Sequence, residues 1–232
     1  MFKPPFVMKN VLANCVMGCV CLAGAVKAAT VYDNTTTDLG FRLDAGTPGG
    51  TTEIGDEIVL GGTERSLTAF TFQYYLQSSN PETLRLRFYA QDGPSGQPGT
   101  SFFDSGPFAI PATGSGSGEV EITDFVTGAA FPLTALLPDR FTWAVTFSGV
   151  DSGSGESAGV NLFGPPTIGN NIVDYWENSG GGWVNKRVGT LPTDFAARMQ
   201  AVPEPSTVAL FLVGSVALVW RLRKRAARSK MA

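Results

Sequence analysis

Residues 141–147 read Phe-Thr-Trp-Ala-Val-Thr-Phe, and the period of this stretch decides the fold class. Phe141, Trp143, Val145 and Phe147 fall at every second position, with Thr142, Ala144 and Thr146 between them. Successive side chains of an extended chain point to opposite faces, so the pattern builds a strand with one apolar face, whereas a helix needs apolar residues three and four apart. The same period returns along the chain. Leu84, Leu86 and Phe88 alternate with Arg85, Arg87 and Tyr89, and Phe70, Phe72 and Tyr74 alternate with Thr71, Gln73 and Tyr75. Val120 and Ile122 alternate with Glu119 and Glu121. Turn-forming clusters bound these runs: SSNPE at 78–82, QDGPSGQPGT at 91–100, ATGSGSG at 112–118 and DSGSGES at 151–157.

Strands with one apolar face each bury it in two sheets packed face to face or in a closed barrel, and a chain of this length favours the two sheets. The expected fold is therefore all-β, an antiparallel β-sandwich or jelly roll, formed by residues 29–200 as one domain. ATGSGSG reads as a long loop between strands and not as a linker. PGT at 98–100 and GPP at 164–166 read as turns.

The two ends follow other rules. Lys3 and Lys9 precede an apolar run from Val11 to Val26, and Val26-Lys27-Ala28 offers a cleavage site, so residues 1–28 read as a secretory signal cut by signal peptidase after Ala28. Cys15, Cys19 and Cys21 are the only cysteines and leave with it. At the other end, residues 201–232 hold Pro203-Glu204-Pro205, then an apolar run from Val208 to Trp220, then Arg221, Arg223, Lys224 and Arg225. The run makes a helix roughly 20 Å long, short of the ~30 Å hydrocarbon core, and Thr207 with the arginine stems extends it. One C-terminal transmembrane helix is expected at about 207–220, with a basic tail at 221–230 held in the cytoplasm.

Composition removes several chemistries. The chain has no histidine, which excludes Ser-His-Asp and Cys-His catalysis and histidine metal sites. Eight of the 17 basic residues and 19 of the 20 acidic ones lie in residues 29–200, a balance of about −11 that argues against nucleic acid as a partner. Carboxylates remain. Glu53, Asp56 and Glu57 cluster in TEIGDEI, Glu119 and Glu121 flank a strand, and Asp174 and Glu177 bracket Tyr175 and Trp176. A glycosidase needs two such groups across a scissile bond. Asp174, Tyr175, Trp176 and the nearby Trp183 also have the composition of a sugar-binding face, in which a ring stacks on the sugar and carboxylates hold its hydroxyls. The commoner reading places both tryptophans in the core. Asp33 to Asp38, and Asp151 with Glu156, offer oxygen ligands of the kind calcium takes, yet such loops are more often solvated turns. No metal or cofactor is expected.

Val202-Pro203-Glu204-Pro205-Ser206, the apolar run and Arg221-Leu-Arg-Lys-Arg225 together resemble the PEP-CTERM sorting signal of Gram-negative bacteria. The resemblance implies recognition by an exosortase, with Pro203, Glu204 and Pro205 as the motif and the arginine cluster as its stop. It also implies removal of the handle and delivery of the body to the cell surface or extracellular matrix, commonly in bacteria that build exopolysaccharide. The expected protein is a non-enzymatic surface or matrix protein, transiently held in the inner membrane and associated with exopolysaccharide. The alternatives are a carbohydrate-binding module using Trp176 and Trp183, or a carbohydrate-active enzyme using Asp174, Glu177 or Glu53.

Overall fold

In a computed structural model of the chain, Phe141–Phe147 lies within β8 (Arg140–Ser148) at the middle of a six-stranded antiparallel sheet. The structure describes residues 27–45, 52–78, 82–111, 116–123, 136–190, 192–204, 211 and 214–221. On one side β8 pairs with β3 (Glu53–Val59), which pairs with β10 (Asn170–Asn178), which pairs with β11 (Trp183–Lys186). On the other side lie β5 (Glu82–Ala90) and β6 (Ser101–Ile110).

A second antiparallel sheet has β4 (Ser66–Gln77) as its centre. This strand pairs with β13 (Ala197–Val202), β9 (Ser157–Phe163) and β7 (Gly116–Thr123). Outside these are β1 (Ala29–Asp33) on β13, and β2 (Asp38–Asp44) and β12 (Asp194–Phe195) on β9. The two sheets form a β-sandwich, as the period of two requires.

The alternating apolar positions meet between the sheets. Phe70 and Phe72 from β4 pack on Trp143 from β8, with ring centroids 5.3 and 5.5 Å apart. Phe195 stands edge-on to Trp143 at 5.6 Å. All four are fully buried. Edge-to-face aromatic contacts of this kind add about 0.5–1.5 kcal/mol each beyond the area they bury.

The other face of β8 departs from a simple inside-outside alternation. Thr142 and Ala144 are as buried as Trp143. The outer face of the six-stranded sheet is covered by its own long side chains, which lie across small residues in the middle. Gly55, opposite Ala144, leaves no room for a side chain: a Cβ there would come within 2.6 Å of the Thr142 methyl. Tyr89 on β5 and Trp183 on β11 touch edge-to-face at 5.2 Å. Four strand spacings separate these strands, about 19 Å along a flat sheet. The sheet therefore curls, and its outer face is concave.

Within ATGSGSG, Gly116–Gly118 belongs to β7 and pairs with Tyr74–Leu76, so this part of the stretch is strand and not loop. The Tyr74 ring covers Gly118, where a Cβ would sit 2.5 Å from it. A glycine in a strand here marks a close approach, not a break.

Residues 1–26, which include most of the expected signal, lie outside the described residues. So do Pro205, Arg223, Lys224, Arg225 and much of the expected span at 207–220. Phe211 and residues 214–221 are helical. Among the described residues, no helix is long and apolar enough to cross a membrane.

Candidate functional site

Residues 53–58 of TEIGDEI lie in strand β3, and its acids divide by parity. Glu53 and Glu57 point to the concave outer face, whereas Asp56 points between the sheets. All three are buried, at 5%, 1% and 0% exposure. A carboxylate tolerates burial only when charges and donors replace its water. Glu53 accepts from Arg87 Nη1 at 3.0 Å and from the Tyr89 hydroxyl at 3.0 Å. Glu57 accepts from Trp176 Nε1 at 3.0 Å and pairs with Arg140. Burial and then the Glu53 charge push the Tyr89 hydroxyl up to about 12, so it stays a donor. Desolvation opposes the charge on Arg87, but Glu53 outweighs it and the guanidinium is held more firmly protonated than usual.

Next to Glu53 the concave face opens into a cleft of about 410 Å³. Glu53, Arg85, Arg87, Thr146, Ser148 and Asn178 contribute to its lining. Arg85 and Arg87 both hold Asp104, whose carboxyl is drawn down to about 2, chiefly by its hydrogen bond to Arg85. The lining offers hydroxyls, an amide and compensated charges, which suit the hydroxyl groups of a sugar better than a hydrophobic ligand.

Asp56 has the opposite environment. Its Oδ2 accepts from the Phe195 amide at 2.9 Å, and its Oδ1 has no hydrogen-bond partner. Desolvation, followed by the nearby charge of Asp194, raises its pKa well above the ordinary carboxylate range. Desolvation also pushes Asp194 up to about 6. The Asn171 side chain faces both carboxylates and opposes the rise of each. Tyr32, fully buried, is raised first by desolvation and then by the charges of Asp56 and Asp194.

The residues singled out in the sequence fall in several places. In β10, Asp174 and Trp176 project to one face and Tyr175 and Glu177 to the other, so the four do not form one platform. Tyr175 and Trp176 are buried, at 6% and 8% exposure, so neither presents an open ring face. Tyr175 packs on Phe195, and Trp176 is tied to Glu57. Trp183 is half-buried against Tyr89. Asp174 is paired with Arg187, and Glu177 with Lys186 and Ser179. Glu119 and Glu121 are exposed on β7. Asp151 and Glu156 serve their own turn: Asp151 Oδ1 accepts from the Gly153 amide and Glu156 Oε2 from the Asp151 amide. Asp33 Oδ1 likewise caps Thr35, and its Oδ2 holds Arg198. The cleft residues Arg85, Thr146, Ser148 and Asn178 carry no local motif. Only strand pairing brings them together.

β1 begins at Ala29, the residue after the expected cleavage, and Ala29 lies opposite Ala201. The two ends of the body thus leave the sandwich side by side. β13 runs through Val202, where Pro203, lacking an N–H, ends the ladder. The strand passes straight into the proline-acid-proline sequence.

The class defined is thus an all-β sandwich with a C-terminal sorting segment. The segment is identified by the PEP-CTERM protein-sorting motif, whose family model matches residues 201–224. No curated protein matches the chain closely enough to count as a relative. The motif implies an exported protein that exosortase processes, with membrane-associated sorting toward the cell surface.

Proposed function

We propose that the body is a non-enzymatic surface or matrix protein that associates with exopolysaccharide. It is exported under the signal at residues 1–28, held briefly in the inner membrane by the segment near 207–220, and released when the handle is removed. The sorting motif at residues 201–224 carries this reading, because it assigns the sandwich to the cell surface. The state of the carboxylates supports a role without catalysis. A general acid needs a raised pKa and access to substrate. Glu177 moves the other way: Lys186 outweighs desolvation and holds it low. Glu53 and Asp174 are engaged by Arg87 and Arg187.

The cleft favours a carbohydrate-binding role within the same reading, with Asn178, Thr146 and Ser148 facing sugar hydroxyls and Arg85 facing an acidic substituent. The test uses the protein isolated from the extracellular fraction and the exopolysaccharide of the same bacterium. Retention on immobilised polysaccharide, weakened several-fold by Asn178→Ala and Arg85→Ala without release of reducing sugar, is the expected result. Reducing-sugar release that Glu177→Gln abolishes would establish the enzyme instead. Absence of retention would remove the polysaccharide.

A further inference from the structure

Asp56 and Asp194 lie between the sheets, and among the described residues no basic side chain pairs with them. Residues 29–200 contain eight basic side chains. Arg65, Arg85, Arg87, Arg140, Lys186, Arg187 and Arg198 each hold some other carboxylate. The eighth, Arg42, lies over the Tyr75 ring. Asp56 and Asp194 are 0% and 3% exposed, so water does not screen them.

Orphaned polar atoms gather at this point. Asp56 Oδ1, Asp194 Oδ1, the Tyr32 hydroxyl and Asn171 Nδ2 are all buried with no contact at full hydrogen-bond geometry, although the Asn171 side chain faces both carboxylates. They come from four strands, β3, β12, β1 and β10, two from each sheet. Buried polar atoms are nearly always satisfied, so four orphans on one charged cluster point to a missing partner. A cation that takes oxygen ligands would satisfy the two carboxylate oxygens and the Tyr32 hydroxyl together.

We propose that Asp56, Asp194, Asn171 and Tyr32 form an internal calcium site that staples the two sheets. The donors are hard oxygens, with no histidine or thiolate, which is the set calcium takes and zinc does not. Half a turn of the Asn171 amide exchanges its NH₂ for the carbonyl oxygen that a cation requires. Two carboxylates neutralise one divalent ion, so the filled site carries no net charge into the core. Among the described residues no three His, Cys, Asp or Glu side chains converge, so neutral oxygens complete the shell. A site of this kind suits an exported protein, since extracellular modules bind calcium in the 10⁻⁴–10⁻³ M range, roughly the concentration outside cells.

The test uses the exported protein, stripped with chelator and returned to millimolar CaCl₂. Calcium is expected to raise the thermal midpoint by several degrees through mass action on the folded state. Asp194→Asn is expected to abolish the rise, while Asp151→Asn in the surface turn leaves it intact. Terbium luminescence gives a readout independent of stability: excitation of nearby tyrosines should sensitise a bound terbium ion in the parent, and calcium should quench it by competition. Where Asp194→Asn does not fold, Asn171→Leu with the terbium readout takes its place. No midpoint rise and no calcium-competed terbium signal in the parent overturns the proposal. A response that survives Asp194→Asn or Asn171→Leu, or that Asp151→Asn removes, also overturns it.

Discussion

Glu53 and Glu57 stand three and one residues from Asp56 on the same strand, and all three are buried, yet their surroundings differ in kind. The two glutamates face the concave surface, where Arg87 and Arg140 reach over from neighbouring strands. Asp56 faces the interior, where the charge that acts on it most strongly is another aspartate. Outer side chains remain long enough to bring a guanidinium to a buried carboxylate from the rim. Interior positions are surrounded by rings and aliphatic groups, and a cationic side chain there would itself need desolvation. Burial alone therefore does not predict how an acid is compensated; the face it occupies does.

The largest effect that tests this contrast comes from Arg87→Ala. It leaves Glu53 buried with only the Tyr89 hydroxyl, and the expected loss is about 3–5 kcal/mol in denaturant unfolding at neutral pH. A loss below about 1 kcal/mol would mean that Glu53 does not depend on its cation, and the contrast would fail.

Asp56→Asn should act in the opposite sense. In calcium-free buffer it removes a buried charge that nothing balances, and it keeps the acceptor for the Phe195 amide. Stability should stay within about 1 kcal/mol of the parent or rise, because the desolvation penalty disappears with the charge. A loss as large as that of Arg87→Ala would show that Asp56 has a cationic partner after all.

The smallest effect concerns Asp104, which shares Arg85 and Arg87 with the cleft. Its pKa of about 2 in the folded state lies below the ordinary value, so its contribution is present above pH ~4 and lost as pH falls through 2. The pair is partly solvated, so the contribution is below about 1 kcal/mol. Thermal midpoints of the parent and Asp104→Asn should differ near neutrality and converge at about pH 2. A difference that persists there would assign the effect to packing instead of charge.

The period of two in FTWAVTF, in LRLRFY and in AFTFQYY was enough to identify β8, β5 and β4 and a two-sheet fold, because strand alternation is a local property of the chain. PEPS, the apolar run and the arginines identified the sorting segment for the same reason: a membrane enzyme reads it as linear sequence. The neighbourhoods of individual acids and rings were not local. TEIGDEI looks like an exposed acidic cluster until β3 is placed inside a curled sheet, with Trp176, Tyr89, Arg87 and Arg140 closing over its outer face. Asp174-Tyr-Trp-Glu177 looks like one platform until the pleat sends alternate residues to opposite faces. Asp56 and Asp194 are 138 positions apart in the chain, and nothing in either segment refers to the other. Only the packing of one sheet on the other brings two unbalanced carboxylates together, because charge compensation depends on distance in space and not on distance along the chain.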